Sequence, residues 1–164
     1  MPAYVSSSLI GVDFNNTNST ALFALGTHAL GTGGTEFLYV EMATACSAYT
    51  AVVVNATFTA TGGDATNLLA GGNLAWLQTS AAAGEFAWVA IQGHIAVMTS
   101  GSVTGTPQGV YLPGASGVTG VISNNYSASG TLQGVFFTSI AQTATATITG
   151  AVLVWPRGSA AAFY

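Results

Sequence analysis

Charge is almost absent from this chain, and no other feature constrains its structure as strongly. The 164 residues include five acids but only one base, Arg157. Charged residues make up 4% of the sequence, whereas soluble domains usually carry about 25%. Exposed sheet edges are usually protected from pairing with other chains by lysine, and this chain has none. We therefore expect its edges to be covered by closure of a sheet or by a neighbouring subunit.

The composition of the chain argues against two classes of partner. A single arginine cannot neutralise a row of phosphates, so we predict no direct nucleic-acid binding. Half of the residues are hydrophobic, but apolar runs such as 51–54 and 151–155 are far shorter than the roughly 20 residues of a membrane helix. We predict no membrane association.

Runs of β-branched and aromatic residues follow one another from residue 37, separated by Gly, Ser and Asn. This spacing is typical of an all-β fold, an antiparallel β-barrel or sandwich, with jelly-roll and tulip-like variants among the options. Gly93 interrupts one long run, which predicts a single strand kinked at that glycine. The predicted strands cover residues 37–42, 51–58, 74–78, 86–98, 109–112, 118–123, 132–140 and 143–155.

Residues 1–20 differ from the rest because they hold isolated apolar residues among Ser and Asn. Such a segment has too little apolar content to fold alone but enough to dock on a partner. We predict an extended N-terminal arm over residues 1–20 and a single β domain over 21–164. The candidate interface residues are Tyr4, Leu9, Ile10 and Phe14 of the arm, together with Arg157, which either pairs with an acid across an interface or faces solvent.

Searches for reactive motifs fail. The stretch Gly31-Thr32-Gly33-Gly34 lacks the lysine of a phosphate-binding loop, and the second glycine around Ser116 comes one position too early for a nucleophile elbow. Two histidines and one cysteine show no metal-ligand spacing, and the acids form no calcium-loop pattern. We predict no catalytic residues, no cofactor, no metal and no enzymatic activity.

Three segments resemble the capsid decoration, or cement, proteins of tailed bacteriophages. Residues 84–97 (GEFAWVAIQGHIAV) share an aromatic, a small residue and Trp leading through β-formers to Gly and another strand. Residues 26–40 resemble the opening pattern, and residues 132–135 with 151–156 the closing strands and terminal Pro. One departure is Cys46-Ser47-Ala48-Tyr49, where the group often has Gly-Asp after its first strand.

The resemblance implies a β-barrel-like protein, often a homotrimer, that binds the major capsid protein on the outer capsid surface of the virion and stabilises the head. A second hypothesis from a different class is a carbohydrate-binding or host-adhesion β module on a virion fibre or spike. The two hypotheses differ in where the aromatic residues lie. A decoration protein buries them in the subunit or against neighbours, whereas an adhesin exposes two or three in a shallow patch.

Overall fold

The computed structural model describes residues 12–63, 72–99, 110–111, 131–137 and 146–159. These residues form an all-β fold, and the helical structure among them is limited to a 3-10 turn at Thr32–Gly34. The nine strands are β1 (His28–Leu30), β2 (Glu36–Met42), β3 (Ala51–Val54), β4 (Thr59–Gly62), β5 (Asn73–Leu77), β6 (Phe86–Thr99), β7 (Val110–Tyr111), β8 (Thr131–Phe137) and β9 (Ala146–Ser159). The predicted fold class is confirmed. The strand predicted at 118–123 lies outside the described residues.

Five of the strands close into a barrel in the order β2-β4-β3-β5-β6, with β6 returning to β2. Four of the five contacts are antiparallel, and the contact between β2 and β4 is parallel through Glu41↔Thr59 and Met42↔Ala60. Directions cannot alternate around a ring with an odd number of strands, so at least one neighbouring pair must be parallel. The barrel is therefore mixed, where the sequence predicted antiparallel pairing throughout.

Strand β6 belongs to both halves of the fold. Its first half pairs with β2 and β5 inside the ring, and its second half pairs with β9, which continues the sheet to β8 and β7. Pairing with β2 ends at Gln92 and pairing with β9 begins at Gly93, which has a φ of +100°. A Cβ at Gly93 would lie 2.6 Å from the Cα of Thr35, so the backbones approach too closely for any side chain. The prediction of a single strand through Gly93 is confirmed, and the φ of this glycine departs from extended strand geometry.

Both faces of the ring are buried. All five ring strands contribute to an aliphatic cluster, which we call the inner core, with members such as Val40, Val52, Ala60, Leu77 and Val89. The alternate residues form a second cluster, the outer layer, which is rich in aromatics and has no member from β4. The outer layer is completed by Val12, Phe14, Phe23 and Leu25 from a segment preceding the ring, residues 12–25, which we call the strap.

The run predicted as one strand at 51–58 is instead strand β3 followed by the turn of the β3–β4 hairpin. The side-chain Oδ1 of Asn55 accepts hydrogen bonds from the backbone N–H of Thr57 (2.9 Å) and of Thr59 (3.0 Å), and from the Thr57 hydroxyl (2.8 Å). Two backbone hydrogen bonds close the same turn. The N–H of Asn55 donates to the Thr59 carbonyl at 3.0 Å, and the N–H of Phe58 donates to the Asn55 carbonyl at 3.1 Å. This turn chemistry of Asn overrides the β-propensity of the flanking residues and separates β3 from β4.

Candidate interaction surface

The strap is fixed to the ring mainly by aromatic contacts. Phe14 stacks on Phe37 with ring centroids 4.1 Å apart, and it meets Trp88 edge-on at 5.5 Å. Phe23 packs edge-on against both Tyr39 and Trp88 at 5.3 Å. Such pairs contribute about 0.5–1.5 kcal/mol each beyond the area that they bury. The described part of the predicted arm therefore packs on its own domain.

Few polar bonds reinforce the strap. Asn18 and Phe86 exchange two backbone hydrogen bonds, of 3.0 and 2.8 Å, and the N–H of Leu22 donates to the hydroxyl of Tyr39 at 3.1 Å. In the outer layer the indole N–H of Trp76 is buried without a hydrogen-bond partner in the described part of the chain. An unsatisfied buried donor destabilises the fold, so the outer layer depends on apolar packing for its stability.

The structure places the predicted interface residues in different environments. Phe14 is 8% exposed within the outer layer and has little surface to offer a neighbour. Arg157 lies in β9 opposite Gln133 of β8. Tyr4, Leu9 and Ile10 lie outside the described residues.

Three large apolar side chains are exposed among the residues whose burial is described. They are Leu22 (63%), Leu30 (44%) and Phe58 (37%). Leu22 lies at a bend within the strap, Leu30 is the last residue of the edge strand β1, and Phe58 lies in the β3–β4 turn. Sequence reasoning missed Phe58 as a surface residue because it read 51–58 as one strand. The signal that marks it is Asn55-Ala56-Thr57, which begins a turn.

Three acidic side chains, Asp13, Glu36 and Glu85, are held by local contacts. Glu36 Oε1 lies 2.7 Å from His28 Nδ1 across the β1–β2 pair, and both side chains are partly exposed. Glu85 accepts from the N–H of Ala82 at 2.8 Å, and Asp13 accepts from the N–H of Asn15 at 2.9 Å. No arginine or lysine occurs at any of the positions whose burial is described. This part of the surface therefore combines neutral polar groups with a few carboxylates.

Reactive groups are sparse in the same region. Across the described ranges, His, Cys, Asp and Glu form no cluster of three or more that could hold a metal ion. Cys46 is half-buried at the end of the ring, where its backbone bridges to Ala81. Burial raises the pKa of its thiol, and a contact with the Thr44 hydroxyl at 3.8 Å acts weakly in the opposite direction. A raised pKa keeps the thiol protonated, which lowers its nucleophilicity.

Comparison with known proteins gives no relative. No protein-family model matches the chain, and neither a curated protein nor a solved structure does. Within the part of the chain that the structure describes, no helix has the length and apolar character to cross a membrane. The function must therefore be inferred from the molecule itself.

Proposed function

We propose that the chain is a structural virion protein, a decoration protein that binds the outer face of a phage head and stabilises it. The observation that carries the proposal is the placement of the aromatic residues. Of the nine aromatic side chains with described burial, five are buried, three are half-buried and Phe58 alone is exposed. This distribution is the one expected of a decoration protein rather than of a sugar-binding patch.

Charge supports the same proposal. The nine-stranded sheet closes a ring, but β1 and β7 remain at its two ends. Strand β1 has no lysine, arginine or proline, and it ends with the exposed Leu30. Edge strands of soluble monomers are usually blunted by such residues. An edge strand protected only by its short length is consistent with a protein whose sheet edges are covered by neighbouring subunits in an assembly.

The proposed mechanism needs no reaction. A protein that binds the assembled shell but not its separated subunits stabilises the assembled state by mass action. Copies that each touch several shell subunits gain further from multivalency, so modest individual contacts suffice. We further propose that the protein acts as a homo-oligomer, with a trimer as the working hypothesis. Its copies would meet through apolar groups and neutral hydrogen bonds, because the chain has few charges to offer.

Thermal release of the genome tests the stabilising role. Heads stripped of this protein should release DNA at a lower temperature than decorated heads, and adding the purified protein back should restore the higher temperature. A dye that fluoresces on DNA reports the release. Identical release curves for bare, decorated and restored heads would contradict the proposal and favour the adhesion hypothesis.

A further inference from the structure

The β3–β4 turn holds an aromatic residue in a conformation that aromatic residues avoid. Phe58 has a φ of +60°, in the left-handed region that is unfavourable for residues other than glycine. Strain of this kind persists only where the surrounding structure over-determines it, and it is concentrated at functional sites. Glycine or asparagine would fit the same backbone position at lower cost.

Several contacts force Phe58 into this position. The Asn55 side chain takes three hydrogen bonds within the turn, and Phe58 O accepts a further one from the N–H of Glu41 at 3.1 Å. The ring lies against Gly26, where an added Cβ would approach the ring's Cε2 to 2.5 Å. The ring is thus positioned before any partner arrives, yet more than a third of the residue stays exposed.

An exposed aromatic with a fixed position has the properties of an interface anchor. Binding hot spots are enriched in aromatic residues, and side chains already in their bound conformation lose less entropy on binding. Leu22, the most exposed large apolar residue among those with described burial, lies four positions before Gly26 in the chain. Its N–H donates to the hydroxyl of Tyr39, while the N–H of Gly26 donates to the carbonyl of the same residue.

Charge indicates which kind of partner fits. Glu41 is bonded through its backbone to Phe58. A second copy of this chain could offer the Glu41 carboxylate only one permanently charged base, Arg157, and the formal net charge of each copy is −4. Complementarity therefore favours a different protein with lysine or arginine around an apolar pocket.

We propose that Phe58, whose carbonyl is bonded to Glu41, is the anchor through which this protein docks into an apolar, basic-rimmed pocket on another protein. On the function proposed above, on which this inference rests, that protein is the shell protein of the phage head. The strain at Phe58 is then a cost to folding that is retained because the ring is required for binding.

The test uses the full-length protein and bare phage heads in a cosedimentation titration. Phe58→Gly and Phe58→Asn remove the ring and relieve the backbone strain. We expect each to weaken binding to heads by at least about 30-fold, the size of a hot-spot effect. The unfolding midpoint should move by less than about 4 °C, since strain relief offsets the lost contact with Gly26. Glu41→Gln should weaken binding about two- to fivefold at low salt and have no effect at high salt.

Tyr49 supplies the matched control. It is the other non-glycine residue with positive φ in the described residues (+65°), and it lies in the loop before β3, where its N–H bonds to Leu77 O. Tyr49→Gly relieves a similar strain and should leave binding unchanged.

Failure of the unaltered protein to bind heads would overturn the proposed function together with this partner. Normal binding by both Phe58 variants, or equal loss in Tyr49→Gly, would overturn the anchor alone. Dissociation of the purified oligomer by Phe58→Gly would instead assign the ring to a contact between copies, and would overturn the inferred partner.

Discussion

The two faces of the five-stranded ring are both buried, but they are built differently. Trp88 and Val89 are neighbours in β6, and Trp88 belongs to the outer layer whereas Val89 belongs to the inner core. The inner core is aliphatic and is enclosed by the ring strands themselves. The outer layer is aromatic and needs the strap, a segment that lies outside the ring, to cover it. Closure of the ring therefore buries the inner core, whereas the outer layer is buried only when the strap packs on it.

The largest effect should come from truncating the two neighbours in β6. We expect Trp88→Ala to lower the free energy of unfolding by about 3–5 kcal/mol, because it leaves a large cavity under the strap. Val89→Ala should cost about 1.5–3 kcal/mol, since a smaller side chain is removed from the inner core. Chemical denaturation measures both. A larger loss in Val89→Ala than in Trp88→Ala would mean that the outer layer contributes less than its packing implies.

Phe14→Ala tests whether the strap belongs to the folded domain. Phe14 is stacked on Phe37 and is nearly buried, so its truncation should cost about 3 kcal/mol or slightly more. The control is Leu22→Ala in the same strap, which removes an exposed side chain and should change stability by less than about 0.5 kcal/mol. Equal and small effects of the two substitutions would show that the strap is a free arm after all.

Gly93→Ala and Gly84→Ala compare two glycines with positive φ. Both substitutions place a side chain in left-handed backbone, but only Gly93 would also press a Cβ against Thr35. We expect Gly84→Ala to cost about 1–2 kcal/mol and Gly93→Ala to cost about 1–3 kcal/mol more. Matching losses in thermal or chemical unfolding would mean that β6 can relax away from Thr35 at no cost.

The smallest effect concerns Cys46 at the end of the inner core. Because burial raises the pKa of its thiol, the folded protein should react with a disulfide reagent more slowly than the unfolded chain at pH 8. The sign for stability follows from the same shift. The folded state holds the proton to higher pH, so the contribution is complete below the ordinary thiol pKa and is lost as pH rises through the raised value. A folded thiol that reacts as fast as the unfolded one would contradict the burial of Cys46.

Local sequence signals predicted most of the strands, but not β1, β4 or the segment that covers the ring. The β-formers around Gly93 and the need for a bend there are properties of a few adjacent residues, and the kinked strand β6 was predicted from them. The parallel contact between Glu41 and Thr59 could not be predicted, because it arises from closing a ring of five strands. The burial of Phe14 could not be predicted from local sequence either, because its partner Phe37 is 23 positions away. The turn at Asn55 was missed because three side-chain hydrogen bonds outweigh a β-rich run.

The candidate surface was predicted less well than the fold. Tyr4, Leu9 and Ile10 are isolated apolar residues in a polar segment, and because they lie outside the described residues their role at an interface stays a prediction. Phe58 has no such contrast with its neighbours in the sequence. Its exposure and its positive φ result from the hydrogen-bonded turn, so they became visible only in the folded chain.

A cryo-electron microscopy map of the intact phage head tests the central claim most directly. The proposal predicts copies of the five-stranded ring on the outer surface of the shell, with the β3–β4 turn directed toward the shell protein. Density for these copies only on a tail fibre or spike, or a shell surface without them, would contradict the assignment as a decoration protein.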